Sequence, residues 1–403
     1  MPARSQWAIV SGSRLIRDLA IVGRTVGGFA RALVDHDRRQ ELSHRLLEFQ
    51  LYDRFLSATV SPRKNFIARV ADFVPFPLLL TTNNGLYLLD RGVLQCLLPV
   101  RCFGVARYGD SVFLGATAGI HSFVLSAQIV GGENIDRLRN VEVLARFETR
   151  YQNERIHQIA FDPRANLVYC ANCRGNSLLS VDSRGRGIVD EKVLFADGMG
   201  YPLRTDHNHV NSVGVNGDSL LFTAHTAGEK AGAVGFVAND VVRAYRYPSR
   251  GIHDIVIHDD GIMFTDSFRD SDAAENPDVS GAIRFRGKEY LSRSLDFGSR
   301  KLVLRGLAMH RTSLVVGFSA FAQWRARRSV DTGGGIIVFR DEKLLGPIEG
   351  PFAQVHDVLP ADGARTDAAG GVRTAAELDA MFQRDVGPLL FEGPVHRGRQ
   401  SQS

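Results

Sequence analysis

HQIAFDPRANLVYCANCRG from His157, NSVGVNGDSLLFTAHTAG from Asn211 and HDIVIHDDGIMFTDSFRD from His253 share one plan. A short apolar strand meets a tight turn rich in Asp, Asn or Gly, and a second apolar strand ends in small or polar residues. The plan recurs in FGVARYGDSVFLGATAG from Phe103 and RGLAMHRTSLVVGFSAFA from Arg305. Successive starts lie 54, 54, 42 and 52 residues apart, bracketing the period of about 40 to 50 residues of four-stranded propeller blades. Third and fourth strands follow the pairs, as in AVGFVAND then VVRAYRYP, and GGIIVFRD then KLLGPIEG.

A sixth start, HDVLP at His356, lies 51 residues beyond Arg305 and runs into a helix-like AAELDAMFQRDV without the strands that should follow. Those strands stand at the other end of the repeats. Phe76 to Pro99 (FPLLLTTNNG, LYLLDRG, VLQCLLP) reads as second, third and fourth strands with no first. Joining the two ends closes a ring and removes exposed sheet edges. The expected fold is therefore all-β, a six-bladed β-propeller over 74–360. An N-terminal helical extension (1–73) precedes it, and a C-terminal helix and disordered tail (361–403) follow. In the extension, Leu15, Ile16, Leu19, Val22, Val26, Phe29 and Leu33 are spaced as on a helix, with Arg14, Arg17, Arg24 and Arg31 among them. Such a helix either packs on the propeller or rests on an acidic membrane surface; Gly23, Gly27 and Gly28 favour packing.

Composition narrows the class. Apolar residues make up 44% of 403, with 40 glycines and 24 phenylalanines, as in a core-rich folded protein with many turns. A net charge of +5 at this size gives no nucleic-acid groove. No uncharged apolar run reaches about 18 residues and no cleavable leader is legible, so the expected address is cytoplasmic. The cysteines, Cys96, Cys102, Cys170 and Cys173, are too few for a disulfide scaffold and fit a reducing compartment. Cys170 and Cys173 form a lone CxxC with no second pair, which reads as structural, buried thiols ahead of a redox or metal role.

In a propeller the first strand of each blade lines the axis, so Phe103, His157, Asn211, His253, Arg305 and His356 converge on one mouth of the channel. Second strands end at the same mouth and add Asn83, Asn172, His225, Asp266 and Ser267. The loop DHNHVN brings Asp206, His207 and His209 beside Asn211. Buried His, Asp and Asn also satisfy inter-blade backbone groups in propellers, and any one of these residues alone fits that role. Three imidazoles at one register point instead to a metal site of His157, His209, Asn211, His253 and His356. Asp254 and Asp357 follow axial histidines and are turned by strand alternation toward a neighbouring blade or a hydrogen bond that orients an imidazole. Arg305 reads either as a receptor for an anionic substrate group or as a salt-bridge partner of Asp254 or Asp266.

NSVGV at Asn211, RGLAM at Arg305 and FTDS at Phe264 to Ser267 resemble blade motifs of the superfamily of senescence marker protein, gluconolactonase and strictosidine synthase-like propellers, which includes the paraoxonases. The resemblance covers roughly Phe76 to Pro360. It implies a divalent cation, commonly calcium, held by an asparagine and carboxylates beside a lactone or ester, and Asn211 matches the asparagine. His157 or His253 stands where the family places carboxylates, which favours Fe, Zn or Mn over Ca, since calcium prefers oxygen ligands. The leading expectation is a metal-assisted hydrolase of a small lactone or ester, with Asp266 or a histidine such as His225 in acid-base work and Arg305 on an anionic group. A second is an iron oxygenase-like centre of His157, His209, His253 and His356. A third is a binding module that grips a peptide or glycan at the mouth.

Overall fold

The computed structural model describes residues 67–70, 74–118, 121–131, 137–148, 156–173, 175–195, 208–225, 231–249, 251–267, 281–290, 302–320, 333–350, 352, 354–362 and 371–397. Among them the chain is almost entirely β. Blade 1 is built from β1 (Ile67–Arg69), β2 (Leu78–Thr82), β3 (Gly85–Asp90) and β4 (Val93–Leu98). Blade 2 has β5 (Cys102–Tyr108), β6 (Ser111–Ala118), β7 (His121–Val130) and β8 (Arg137–Glu148). Blade 3 has β9 (Ile156–Asp162), β10 (Leu167–Asn172), β11 (Ser177–Asp182) and β12 (Ile188–Val193). Blade 4 has β13 (Val210–Asn216), β14 (Ser219–Ala224), β15 (Gly232–Ala238) and β16 (Val241–Tyr247). Blade 5 has β17 (Ile252–His258), β18 (Gly261–Asp266), β19 (Ala282–Phe285) and β20 (Lys288–Tyr290), and blade 6 β21 (Leu302–His310), β22 (Ser313–Ala320), β23 (Gly334–Arg340) and β24 (Lys343–Gly350). The inner strand of blade 1 is β25 (Val355–Pro360), antiparallel to β2 with Leu80 opposite Val358. Six blades closed by pairing the two ends of the repeat region are thus the observed architecture.

The blades stack through apolar faces that alternate with the pleat. Leu78 and Leu80 of blade 1 meet Val315, Ile336 and Val338 of blade 6, and Val256 and Met263 of blade 5 meet Leu304, Leu307 and Val316 of blade 6. The expected C-terminal helix is α1 (Ala375–Asp385). Thr374 and Glu377 form its capping box, satisfying N–H groups that the first turn leaves open. Leu378, Met381 and Phe382 enter the seam between blades 4 and 5. The Phe382 ring lies 5.4 Å from Phe236 and 5.1 Å from Tyr245, and Asp385 accepts a hydrogen bond from the Ile262 backbone at 3.0 Å.

Both boundaries of the propeller differ from expectation. Ile67–Arg69 pairs with β4 as a fifth, outermost strand of blade 1, so the ring recruits chain before residue 74. The stretch after α1 is not a tail: β26 (Leu389–Pro394) pairs with β16 and β27 (His396–Arg397) with β12. One short segment thereby covers the outer edges of blades 4 and 3, where unpaired N–H and C=O groups would otherwise face solvent. The helix expected before residue 67 and the last residues of the chain, 398–403, lie outside the described residues. No described helix is long and apolar enough to cross a membrane.

Candidate functional site

All six inner strands slip register at the mouth. The slip falls at Phe103 in β5, at His157 and Gln158 opposite Ala171, at Asn211 in β13, at Asp254 after His253, at Arg305 and Gly306 in β21, and at His356 in β25. A bulge places an extra residue against its partner strand and re-aims the side chain. Six repeats of this device turn six strand ends toward one volume. Asp254 takes a left-handed φ of 51° and Gly306, its counterpart one blade on, 79°. Aspartate tolerates that region better than most residues and glycine is at home there.

Beneath the mouth the axis is crossed by a polar clasp. Gln158 Nε2, from blade 3, donates to Asp254 Oδ1 of blade 5 at 3.0 Å and to Asp357 Oδ1 of blade 1 at 3.2 Å. Each carboxylate also accepts a backbone N–H of the next blade: Asp254 from Gly306 at 2.7 Å and Asp357 from Val105 at 3.1 Å. The Asp254 amide donates to Ser212 Oγ of blade 4 at 2.6 Å. These aspartates therefore do bond neighbouring blades, as strand alternation implied, and the same side chains also meet across the axis through Gln158.

The mouth itself is lined by a chain of rings. Centroid separations run 4.5 Å from His356 to Phe103, 5.3 Å to His157, 4.9 Å on to His209, 5.6 Å to His225 and 5.9 Å to His253. Two imidazoles bound to one zinc ion through nitrogens about 2.0 Å away hold their centroids about 5 Å apart, close to the His157–His209 spacing. The ligand atoms of His157, Cys173 and His209 all lie within 4.8 Å of one another. Cys173, one residue past β10, is fully buried beside them, and Asn176 Oδ1 accepts the backbone N–H groups of Asn208 and His209 at 3.1 and 3.2 Å. That bond pins His209, itself left-handed at φ 51°. Asp206 and His207 lie outside the described residues.

The CxxC thus divides. Cys170 sits in the blade interior, where burial pushes its thiol well above the ordinary range, as a structural thiol should be. Cys173 departs from that reading by joining two imidazoles.

His253 is tied down at one nitrogen only. Its Nδ1 lies 2.8 Å from Gly251 O and 3.0 Å from Ser267 Oγ, whose hydroxyl donates to Leu304 O at 2.7 Å. An N–H at Nδ1 leaves the lone pair on Nε2, which is buried and has no hydrogen-bond partner among the described residues. Burial, then the Arg305 charge, hold this imidazole well below its ordinary pKa and keep it neutral. His356 is neutral for the same two causes, with Arg101 adding to them, but both of its nitrogens are engaged. Nε2 lies 2.8 Å from Asn83 Oδ1 and Nδ1 3.5 Å from Arg305 Nη1. His356 is therefore not placed as a metal ligand, which also removes the fourth histidine from the iron-centre expectation. Asn211 Nδ2 donates to Ile252 O at 3.0 Å, and its Oδ1 is buried without a hydrogen-bond partner among the described residues.

Other expected members serve the frame. Asp266 is fully buried, accepts from Ser249 Oγ at 2.8 Å and Tyr247 OH at 3.4 Å, and pairs with Arg284 at 3.5 Å. A carboxylate so enclosed in a blade seam is not a general base for a substrate. Asn172 organises its turn, donating to Ser177 Oγ at 2.9 Å and Glu191 Oε1 at 3.2 Å. Arg305 Nη1 meets His356 Nδ1, and among the described residues no ion pair joins it to Asp254 or Asp266. Sequence reasoning passed over Arg101 and Gln158, and did not give Cys173 its place. Arg101 and Cys173 stand just outside the strand ends counted as the mouth, and Gln158 shares its bulge with His157.

No protein-family model and no curated protein matches the chain. Solved structures similar to it include a chain of the nidogen/laminin complex, at TM-score 0.46 and 10% identity over 70% of this chain and 97% of that one. A Bacteroides fragilis protein proposed to be a 6-phosphogluconolactonase gives TM-score 0.40 and 12% identity over 70% and 97%. The β-propeller domain of Cps50 (Swd1) from Myceliophteria thermophila gives TM-score 0.40 and 10% identity over 70% and 90%. Likenesses this distant leave the fold to the strand pairing described above and the chemistry to the residues at the mouth.

Proposed function

We propose that the mouth is a zinc site held by His157, Cys173 and His209, and that the protein hydrolyses a small lactone or ester there. The observation that carries the reading is the approach of one thiol and two imidazoles within 4.8 Å at the convergence of six bulged strands. A thiolate with two imidazoles suits zinc and disfavours calcium and manganese, which prefer oxygen. Among the described residues the set has three members, and three protein ligands with a fourth position open is the arrangement of a catalytic rather than a structural site. Asn211 Oδ1, buried without a hydrogen-bond partner among the described residues, stands two residues along the chain from His209.

A bound ion would polarise the substrate carbonyl and bring a water toward ionisation at neutral pH. The rest is done by the chain. His253 Nε2 accepts the water proton, the water oxygen bonds to the carbonyl carbon, the carbon–oxygen bond to the leaving group breaks, and the leaving oxygen takes the proton back. Burial and Arg305 keep His253 in its neutral form, with the lone pair on Nε2. His225 lies between His209 and His253 in the ring chain and walls this path. Four buried cysteines suit a reducing, cytoplasmic setting, in which a thiolate ligand persists.

Protein purified without added metal is expected to hold about one equivalent of zinc. Cobalt substitution is expected to give a thiolate-to-metal charge-transfer band that disappears in Cys173→Ser, with metal affinity falling on the order of 100-fold or more. Hydrolysis of p-nitrophenyl acetate and of γ-lactones should be lost on chelation and return with zinc. Absence of both bound metal and the cobalt–thiolate band in wild type refutes the reading.

A further inference from the structure

The hydrogen bonds around His253 admit one assignment of its ring proton. Gly251 O lies 2.8 Å from Nδ1 and also accepts the Ser267 backbone N–H at 3.0 Å. A carbonyl oxygen accepts and never donates, so the ring nitrogen facing it carries the proton. Ser267 Oγ lies 3.0 Å from the same nitrogen, and its single proton goes to Leu304 O at 2.7 Å, another oxygen that only accepts. The hydroxyl therefore meets Nδ1 with a lone pair, and both neighbours of that nitrogen call for a donor. The backbone of His253 is held as well, by Thr265 Oγ1 donating to its carbonyl at 3.0 Å. What remains is Nε2, buried and without a hydrogen-bond partner among the described residues, on a ring 5.9 Å from His225 in the lining of the mouth.

We infer that Ser267 is a positioning residue: with the Gly251 carbonyl it locks the His253 proton on Nδ1 and so presents Nε2 to the mouth as a lone-pair acceptor. Ser267 stands one residue past β18 and is buried, and Leu304 belongs to β21 of blade 6. The line from His253 through Ser267 to Leu304 therefore crosses the seam between blades 5 and 6, and the docking of those two blades decides which ring nitrogen is bare. In a neutral imidazole one nitrogen donates and the other accepts, and the partner of the first sets the role of the second. A ring free to turn or to change tautomer would offer the mouth an N–H part of the time, and an N–H takes no proton. A buried lone pair without a donor is unfavourable, and a water or a ligand O–H or N–H arriving at Nε2 relieves it. The lock stands on the hydrogen bonds alone; its service in taking the water proton rests on the hydrolase reading.

The test follows the histidine ring nitrogens of the isotope-labelled, full-length protein by NMR, as purified and after chelation, with the His253 signals identified by their loss in His253→Gln. In wild type near neutral pH a single neutral ring is expected, protonated at Nδ1 and bare at Nε2. Ser267→Ala keeps only Gly251 O against Nδ1, and a second set of ring signals with the proton on Nε2 is expected to appear. Its kcat for p-nitrophenyl acetate should fall about three- to tenfold with KM unchanged, the contribution of one hydrogen bond. Ser267→Thr should restore both tautomer and rate. A proton on Nε2 in wild type overturns the lock. So does a Ser267→Ala protein that is less stable but keeps the wild-type ring signals, since Ser267 then serves the blade seam alone. Wild type that shows the Nδ1 tautomer but no hydrolysis sinks the hydrolase reading and leaves the lock standing, whereas a failed lock leaves zinc content and the cobalt band untouched.

Discussion

At the scale of single residues, Gln158 is the most informative side chain in the channel. Its amide is the donor shared by two buried carboxylates, Asp254 and Asp357, from blades on either side of its own. Gln158→Ala would leave both acceptors facing one another in a low-dielectric channel. Each carboxylate keeps its backbone donor from the next blade, Gly306 or Val105, so the cost is that of two lost hydrogen bonds, about 1.5 to 3 kcal/mol each for a carboxylate acceptor. A loss of about 3 kcal/mol or more is expected in chemical denaturation near neutral pH, and a change under about 0.5 kcal/mol would show that the clasp does not hold the blades. His253 and His356 set a pH dependence of the opposite kind from a salt-bridged histidine. Both have folded-state pKa values lowered by burial, so below about pH 6.5 the unfolded chain binds protons that the folded one refuses. Stability is then full above that pH and falls as the solution is acidified, with a slope of up to about 2.7 kcal/mol per pH unit for two such groups. A flat stability profile between pH 7 and 5 would mean that these imidazoles titrate normally.

At the scale of the element, the bulge at the mouth explains both what the sequence discloses and what it hides. Strand pairs, their spacing and the missing partners at the two ends are legible because period-two apolar patterns and turn residues report local backbone directly. The positions that gather at the axis were legible for the same reason, since one register recurs in every repeat. Side-chain direction past the last paired residue was not, because it depends on where the ladder slips, and a one-residue slip reverses the face. Cys173, one residue past β10, joins the imidazoles, whereas Asp266, the last residue of β18, turns into the seam with Arg284. Leu389–Pro394 and His396–Arg397 were invisible as strands because they are short, carry Gly393 and Pro394, and bury no residue fully. The bulge also makes a demand that can be tested at Gly306. A Cβ there would lie 2.8 Å from the Val358 amide nitrogen and 2.9 Å from the Asp357 carbonyl carbon, at a φ of 79°. Gly306→Ala must therefore push β25 away or abandon the left-handed bend that lets Gly306 N–H reach Asp254. A destabilisation of about 2 kcal/mol or more is expected, whereas Gly185→Ala, in an open turn at φ 84°, should cost only the backbone strain, about 1 kcal/mol. Equal effects at the two sites would show that crowding against β25 contributes nothing.

At the scale of the whole molecule, closure decides whether the ring is stable, and the two C-terminal devices contribute unequally to it. All six residues of β25 are buried. Val355, Val358 and Leu359 contribute about 1.5 to 3 kcal/mol each through burial, and Asp357 supplies one half of the clasp. Their sum is comparable with the 5 to 15 kcal/mol that separates folded from unfolded chains of this kind. A chain ending after Glu349 lacks β25, leaves β2 as an open inner edge, and is expected to show no cooperative unfolding transition. A chain ending after Val386 keeps β25 and the three apolar side chains of α1, and loses only β26 and β27. Those strands are exposed or half-exposed along their length, so the expected cost is within about 1 kcal/mol for pairing of this kind. Its newly bare edges on β12 and β16 should instead appear as concentration-dependent association, since unpaired strand edges template pairing between molecules. The comparison is made by denaturant unfolding and by sedimentation of both truncations beside the full chain. A cooperative transition at an unchanged midpoint in the chain ending after Glu349 would show that the ring does not depend on β25, and a monomeric, unaltered chain ending after Val386 would show that the C-terminal strands protect nothing.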